Sequence, residues 1–163
     1  MNSLLLYDFS TSSDWSVWEI ENDVVMGGNS TAQLSRSEEG NAVFTGFVSL
    51  ENNGGFASMQ YHFESKDIKG YQKAVIKVKG DGKQYQFRIK ANLREKASYV
   101  YDFKTTGEWQ TIEIPINKMR PVYRGNNLNI PNFNSDKIQE VRFMIGNGKA
   151  ENFKLEIDKI ELQ

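Results

Sequence analysis

The sequence predicts an all-β domain, a two-sheet antiparallel jelly-roll sandwich. Three observations carry this. Apolar residues alternate with polar ones at period two along most of the chain, as strands with one face in a core require. The alternating runs are short and separated by Gly, Asn and Pro turn signals. No stretch shows the apolar spacing of an amphipathic helix of three turns.

The runs can be taken in order. In "KAVIKVKG", Ala74, Ile76 and Val78 share a face. In "QYQFRIKAN", Tyr85, Phe87, Ile89 and Ala91 face one way, and Gln86, Arg88, Lys90 and Asn92 the other. "SYVYDFK", "EWQTIEIPI", "VRFMIG" and "FKLEIDKIEL" repeat the pattern. In the last of these the phase shifts at Asp158-Lys159, which predicts a bulge. Asp81-Gly82 in "KGDGKQ" and Asn147-Gly148 in "GNGKAEN" read as two-residue hairpin turns, because both central residues tolerate positive φ. From Pro121 to Asp136 the chain is Asn-rich and aperiodic, a long loop of the kind that tends to be functional. The count is ten or eleven strands in one domain over residues 1–163.

Bulk properties exclude several classes. The 163 residues suffice for one sizeable core. Twenty basic and 21 acidic residues give a net charge of -1, so no global field favours polyanions. The basic residues of "RIKANLREK" read as a solvated strand face, and no nucleic-acid partner is expected. There is no cysteine, which removes disulfides and thiolate chemistry and fits a reducing compartment. The start, "MNSLLLYDFSTSSDW", lacks the basic region and the apolar length of a signal peptide. No run has the length of a membrane helix. A soluble, cytoplasmic protein without membrane insertion is expected, and a trimmed leader stays open.

Two glycine pairs stand out. "IENDVVMGGNSTAQ" places Asn22 and Asp23 ahead of Gly27-Gly28, with Ser30 after them. "LENNGGFASMQ" repeats the form with Glu51, Asn52, Asn53, Gly54-Gly55 and Ser58. Glycine in strand-like sequence marks a bulge, a bend or a close backbone approach. The flanking amides and carboxylates exceed what a turn needs. They predict two loops meeting at a rim, either knitted together by hydrogen bonds or open as a polar cleft.

These motifs occur in order with "VKGDGKQYQFRIK", "EWQTIEIPI", "YRG" and "FMIGNGKAENFKLEIDKIEL". Together they resemble the complex I intermediate-associated protein 30 family, over about Phe9 to Leu162. The resemblance implies a galactose-binding-like jelly roll. It also implies a chaperone-like role in assembling a membrane complex, as in the mitochondrial members. The motif positions map onto Asn22, Asp23, Met26, Gly27, Gly28 and Ser30, then Leu50, Glu51, Asn52, Gly54, Gly55, Phe56 and Ser58. Later ones map onto Gly80, Asp81, Gly82, Tyr85, Arg124 and Gly125. One departure is Gln60, where the family often has an arginine.

The candidate binding residues are Asn22, Asp23, Ser30, Glu51, Asn53, Ser58 and Arg124, with Gly27, Gly28, Gly54, Gly55 and Gly125 shaping the loops. Arg124 is expected at the same rim, paired with an acid there or clamping a partner's carboxylate or phosphate. No catalytic residue, metal or cofactor is assigned. His62 is the only histidine and reads as a surface or packing residue, and one histidine without cysteine argues against zinc. Oxygen groups at the rim leave a calcium ion open, though no spaced acidic run supports it.

The expected function is a non-catalytic binding or assembly module with a protein partner. The alternative is a carbohydrate-binding, lectin-like module using Trp15, Trp18, Trp109, Tyr123 and the Asn126–Asn134 loop, although one of Trp15 and Trp18 reads as core. The third reading is a hydrolase using Asp23 and Glu51. A protein partner predicts an exposed apolar patch near the rim. A sugar predicts an exposed aromatic ring over a polar pocket. An enzyme predicts a deep pocket with a perturbed carboxylate.

Overall fold

The structure, a computed structural model, describes residues 3–11, 15–23, 27–51 and 55–163. Among them are thirteen strands and no α-helix. They are β1 Leu4–Asp8, β2 Trp18–Asn22, β3 Thr31–Arg36, β4 Ala42–Val48, β5 Ala57–Asp67, β6 Lys73–Lys79 and β7 Gln84–Lys90. They continue with β8 Ser98–Lys104, β9 Trp109–Pro115, β10 Arg120–Tyr123, β11 Asn126–Asn127, β12 Lys137–Ile145 and β13 Glu151–Leu162.

All pairings are antiparallel, in two sheets. The smaller runs β3-β4-β13-β6-β9, with β1 also on β13. The larger runs β11-β10-β8-β7-β12-β5-β2. The inward residues of both sheets form one core, with Phe44, Ile76 and Leu155 from the smaller sheet facing Met59, Phe87 and Phe143 from the larger. Each fully buried side chain of this size contributes roughly 1.5–3 kcal/mol. Trp18 and Phe9 close the core beside β2 and β1.

The period-two reading holds on β7, where Tyr85, Phe87 and Ile89 are buried and their neighbours half-buried or exposed, whereas on β5, β6, β8 and β12 outward residues such as Ser58, Val75, Val100 and Met144 are buried as well. The bulge is present too. The register of β13 against β6 shifts between Ile157 and Lys159, which is why the apolar phase changes there.

Two turn expectations are corrected. Gly82 and Gly148 do take positive φ, +85° and +73°. Neither closes a hairpin. β6 and β7 lie in different sheets, as do β12 and β13, so both segments are crossovers between the sheets. The Asp81 carboxylate organises the first crossover. It accepts hydrogen bonds from the Tyr85 hydroxyl at 2.9 Å and from the Lys154 amide at 2.9 Å, tying the crossover to β13. The Asn-rich stretch is also less irregular than expected, since β10 and β11 form a hairpin inside it.

Candidate functional site

The two glycine loops meet, and Asp23 is what joins them. It follows β2 and is 1% exposed. Its Oδ1 accepts from the Ser30 amide at 2.9 Å. Its Oδ2 accepts from the Ser30 hydroxyl at 2.5 Å, the Gly55 amide at 2.5 Å and the Phe56 amide at 3.3 Å. The Ser30 hydroxyl in turn takes the Ser49 amide at 2.9 Å. One carboxylate therefore binds the first glycine loop to the second and to the end of β4. Burial alone raises the Asp23 pKa; the four hydrogen bonds outweigh it and hold the carboxyl below its ordinary value.

The loop glycines fit this clasp. A Cβ on Gly28 would lie 2.5 Å from the Asp23 carboxyl carbon, so any side chain there displaces the carboxylate. Gly55 has φ +148° and offers its amide to the same oxygen. Asn29 and Glu51 form the exposed lip, joined by a 3.0 Å hydrogen bond from Asn29 Nδ2 to Glu51 Oε2. Leu50 is 45% exposed beside them. Asn22 is half-buried at the end of β2, paired with Ala57. Asn53, Gly54 and Met26 lie outside the described residues.

Arg124 is not at this rim. β10 lies beside the edge strand β11, at the side of the larger sheet away from β2. Val122 pairs with Ser98, so the chain leaves β10 at the end of the sheet away from Asn22 and Ala57. Arg124 and Gly125 are the two central residues of the β10–β11 turn, with φ +49° and +79°. That is the type I′ geometry, and arginine is a costly residue in it. The guanidinium rests over the Tyr123 ring at 5.4 Å. Arg124→Asn is expected to keep the turn and raise stability by about 0.5–1 kcal/mol, read by chemical denaturation.

Ser58 is not a rim residue either. Its hydroxyl lies on the face of the larger sheet that points away from the core, donating to the Glu21 carbonyl at 2.5 Å and accepting from Arg142 Nη1 at 3.0 Å. Sequence reasoning missed this face because its polar residues read as solvated strand positions. Arg142 is its hub. Its guanidinium donates to Glu21 Oε1 at 2.8 Å, to Glu140 Oε1 at 3.4 Å and to Gln60 Oε1. Gln60, the departure noted above, is thus the register partner of an arginine. His62 Nε2 meets Glu140 Oε1 at 2.6 Å, and the Glu140 side chain is 2% exposed. No strand residue that the register places on this face carries a phenyl, phenol or indole ring.

The tryptophans do not form a sugar platform. Trp18 is in the core, and Trp15 packs on Phe9 with Arg36 3.9 Å over its ring. Trp109 is 39% exposed on the edge strand β9, beside Lys77. A cleft lined by Ile68, Tyr71, Lys73, Ile116, Phe133 and Asp136 opens at the end of the sandwich away from Asp23. Among the described residues no three His, Cys, Asp or Glu side chains converge as a metal site would need. No helix there is long and apolar enough to cross a membrane.

With this geometry in hand, comparison with known proteins places the chain. The family model described as Complex I intermediate-associated protein 30 (CIA30) matches residues 7–157. The chain belongs to this family. It is 27% identical over 177 residues to a protein of Caenorhabditis briggsae described as "Probable complex I intermediate-associated protein 30, mitochondrial". That alignment covers 94% of this chain and 52% of the relative, so the chain spans about half the length of that protein.

Among solved structures it is similar to the family 11 carbohydrate-binding module of the Clostridium thermocellum cellulase Lic26A-Cel5E, with a TM-score of 0.73 and 20% identity. That match covers 99% of this chain and 94% of the module. It is also similar to part of the agarase AgWH50C, with a TM-score of 0.65 and 13% identity, covering 100% of this chain and 24% of the agarase. At these identities the likeness shows the fold, a galactose-binding-like jelly-roll sandwich.

Proposed function

We propose that this CIA30-family chain is a non-catalytic binding module of assembly-factor type that holds a protein partner at the glycine-loop rim. The observation that carries the reading is the Asp23 clasp. It spends the one buried acid of the rim on rigidity, which leaves a preorganised lip of Asn29, Leu50 and Glu51 facing outward. A preorganised lip loses little entropy on binding. Leu50 supplies an apolar contact, and exposed Ile20 and Phe47 lie on the strands that lead to the rim. The hydrolase reading is weakened, because Asp23 is buried, both its oxygens accept protein hydrogen bonds and its lowered pKa suits it poorly as a proton donor. The partner's identity rests on family membership, and a complex I intermediate is the form the relative's name suggests.

The test is an affinity capture from lysate of the native host, read by mass spectrometry. It compares wild type, Leu50→Arg with Glu51→Lys, and Arg124→Ala as a remote control. Proteins kept by wild type and Arg124→Ala but lost by the rim variant, with melting temperatures unchanged, support the reading. Identical captures by all three overturn it. A positive glycan array would then favour the carbohydrate reading, which the fold likeness motivates.

A further inference from the structure

The outward face of the larger sheet holds an unusual charge arrangement. One register row runs Arg120, Val100, Arg88, Arg142, Gln60 and Glu19 across six strands. Arg88 and Arg142 are directly opposed, and like charges at such positions destabilise a sheet. Arg142 has Glu21 and Glu140, and Arg120 has Asp102 at 2.9 Å. Arg88 has no acid. Its one hydrogen bond among the described residues runs from Nε to Gln86 Oε1 at 2.9 Å, which leaves both terminal nitrogens of its fork unused. Burial, and then the charge of Arg142, lower its pKa to about 10. The neighbouring network is also incomplete: among the described residues the buried Glu140 Oε2 and Arg142 Nε have no hydrogen-bond partner. Opposing two guanidiniums and leaving the fork of one without a protein acceptor is not what stability alone favours.

We propose that Arg88 is the anchor of a second binding site, taking the carboxylate of a small organic acid on the outward face of the larger sheet. A guanidinium fork matches a carboxylate with two parallel hydrogen bonds. The three arginines of the row are matched in charge by Glu21, Glu140 and Asp102, so a monovalent carboxylate on the free fork leaves less unbalanced charge than a phosphate dianion. Arg142 and Arg120 flank the anion and strengthen its binding, while their own acids keep the ligand centred on Arg88. The carboxylate can come as a free acid or as the uronic acid residue of a glycan. This site is separate from the rim, and its loss leaves the partner reading untouched.

The experiment is an NMR titration of the isotopically labelled protein with sodium acetate, sodium D-glucuronate, D-glucose and inorganic phosphate, using wild type and Arg88→Gln. Saturable shifts centred on β7, β8 and β12 with a carboxylate, at least about tenfold weaker in Arg88→Gln, are expected. Glucuronate binding better than acetate assigns the ligand to an acidic sugar, and the reverse assigns it to a free acid. Melting temperatures are recorded for both proteins, and Arg88→Gln is expected to melt at or above wild type, because a like-charge contact is relieved. No saturable shift with either carboxylate overturns the proposal. So does equal binding of glucose, tighter binding of phosphate, or retention of carboxylate binding by Arg88→Gln. A large fall in its melting temperature would make Arg88 structural and would also overturn it.

Discussion

Asp23→Ala is expected to cost about 3–5 kcal/mol and to lower the melting temperature by roughly 10 °C. The substitution removes an acceptor from four donors: two on Ser30, whose hydroxyl keeps only the Ser49 carbonyl at 3.3 Å, and the amides of Gly55 and Phe56. Buried donors without an acceptor cost more than the lost bond itself. The charge matters as well as the shape. Because the folded carboxyl is held below its ordinary value, its ionisation contributes stability. That contribution is fully present above the pKa of an unfolded aspartate. It is lost as the pH falls through the lowered folded value. Asp23→Asn removes this term, so its stability should vary less with pH on the acid side than that of wild type. Denaturant unfolding curves at stepped pH measure both effects. A wild-type acid limb no steeper than that of Asp23→Asn would sink the electrostatic part of the account.

Arg142→Met should be comparably severe, at about 3–5 kcal/mol. It removes the guanidinium from Glu21, Ser58, Gln60 and Glu140 together. Glu140, 2% exposed, is then left with His62 alone. A near-buried carboxylate that loses its cation is costlier than no pair at all. The double variant Arg142→Met, Glu140→Met should therefore recover much of the loss. A double-mutant cycle by chemical denaturation reads the coupling, expected at 1 kcal/mol or more by order of magnitude. Strict additivity would mean that the two residues do not act as a pair.

The fold was legible because its signals are local. Ile76 and Val78, or Tyr85, Phe87 and Ile89, must alternate if a strand covers a core, and the bulge in β13 shows as a broken alternation at Asp158. What failed was non-local. Asp81-Gly82 and Asn147-Gly148 announce that a glycine takes positive φ. They do not say which sheet the next strand joins, so crossovers were taken for hairpins.

The candidate site divides in the same way. The meeting of the two glycine loops through Asp23 and Ser30 follows from loop chemistry repeated in one sequence. Arg124 was grouped with them as the basic partner expected for a rim acid. The sheet order places the β10–β11 hairpin and β2 at opposite edges, and that order is decided by packing. Arg88 and Arg142 were hidden for another reason. A polar residue on a strand reads as facing water, and sequence does not reveal that Arg88 will stand opposite a second arginine 54 residues away.

The measurement that bears most directly on the account is a carbon-13 NMR pH titration of the Asp23 carboxyl in the wild-type protein. The clasp predicts a carboxyl that stays ionised well into acid and titrates below the ordinary aspartate value. A titration at or above that value would show an acid free to exchange its proton. It would contradict the structural role of the two glycine loops and return Asp23 to the list of groups that do chemistry.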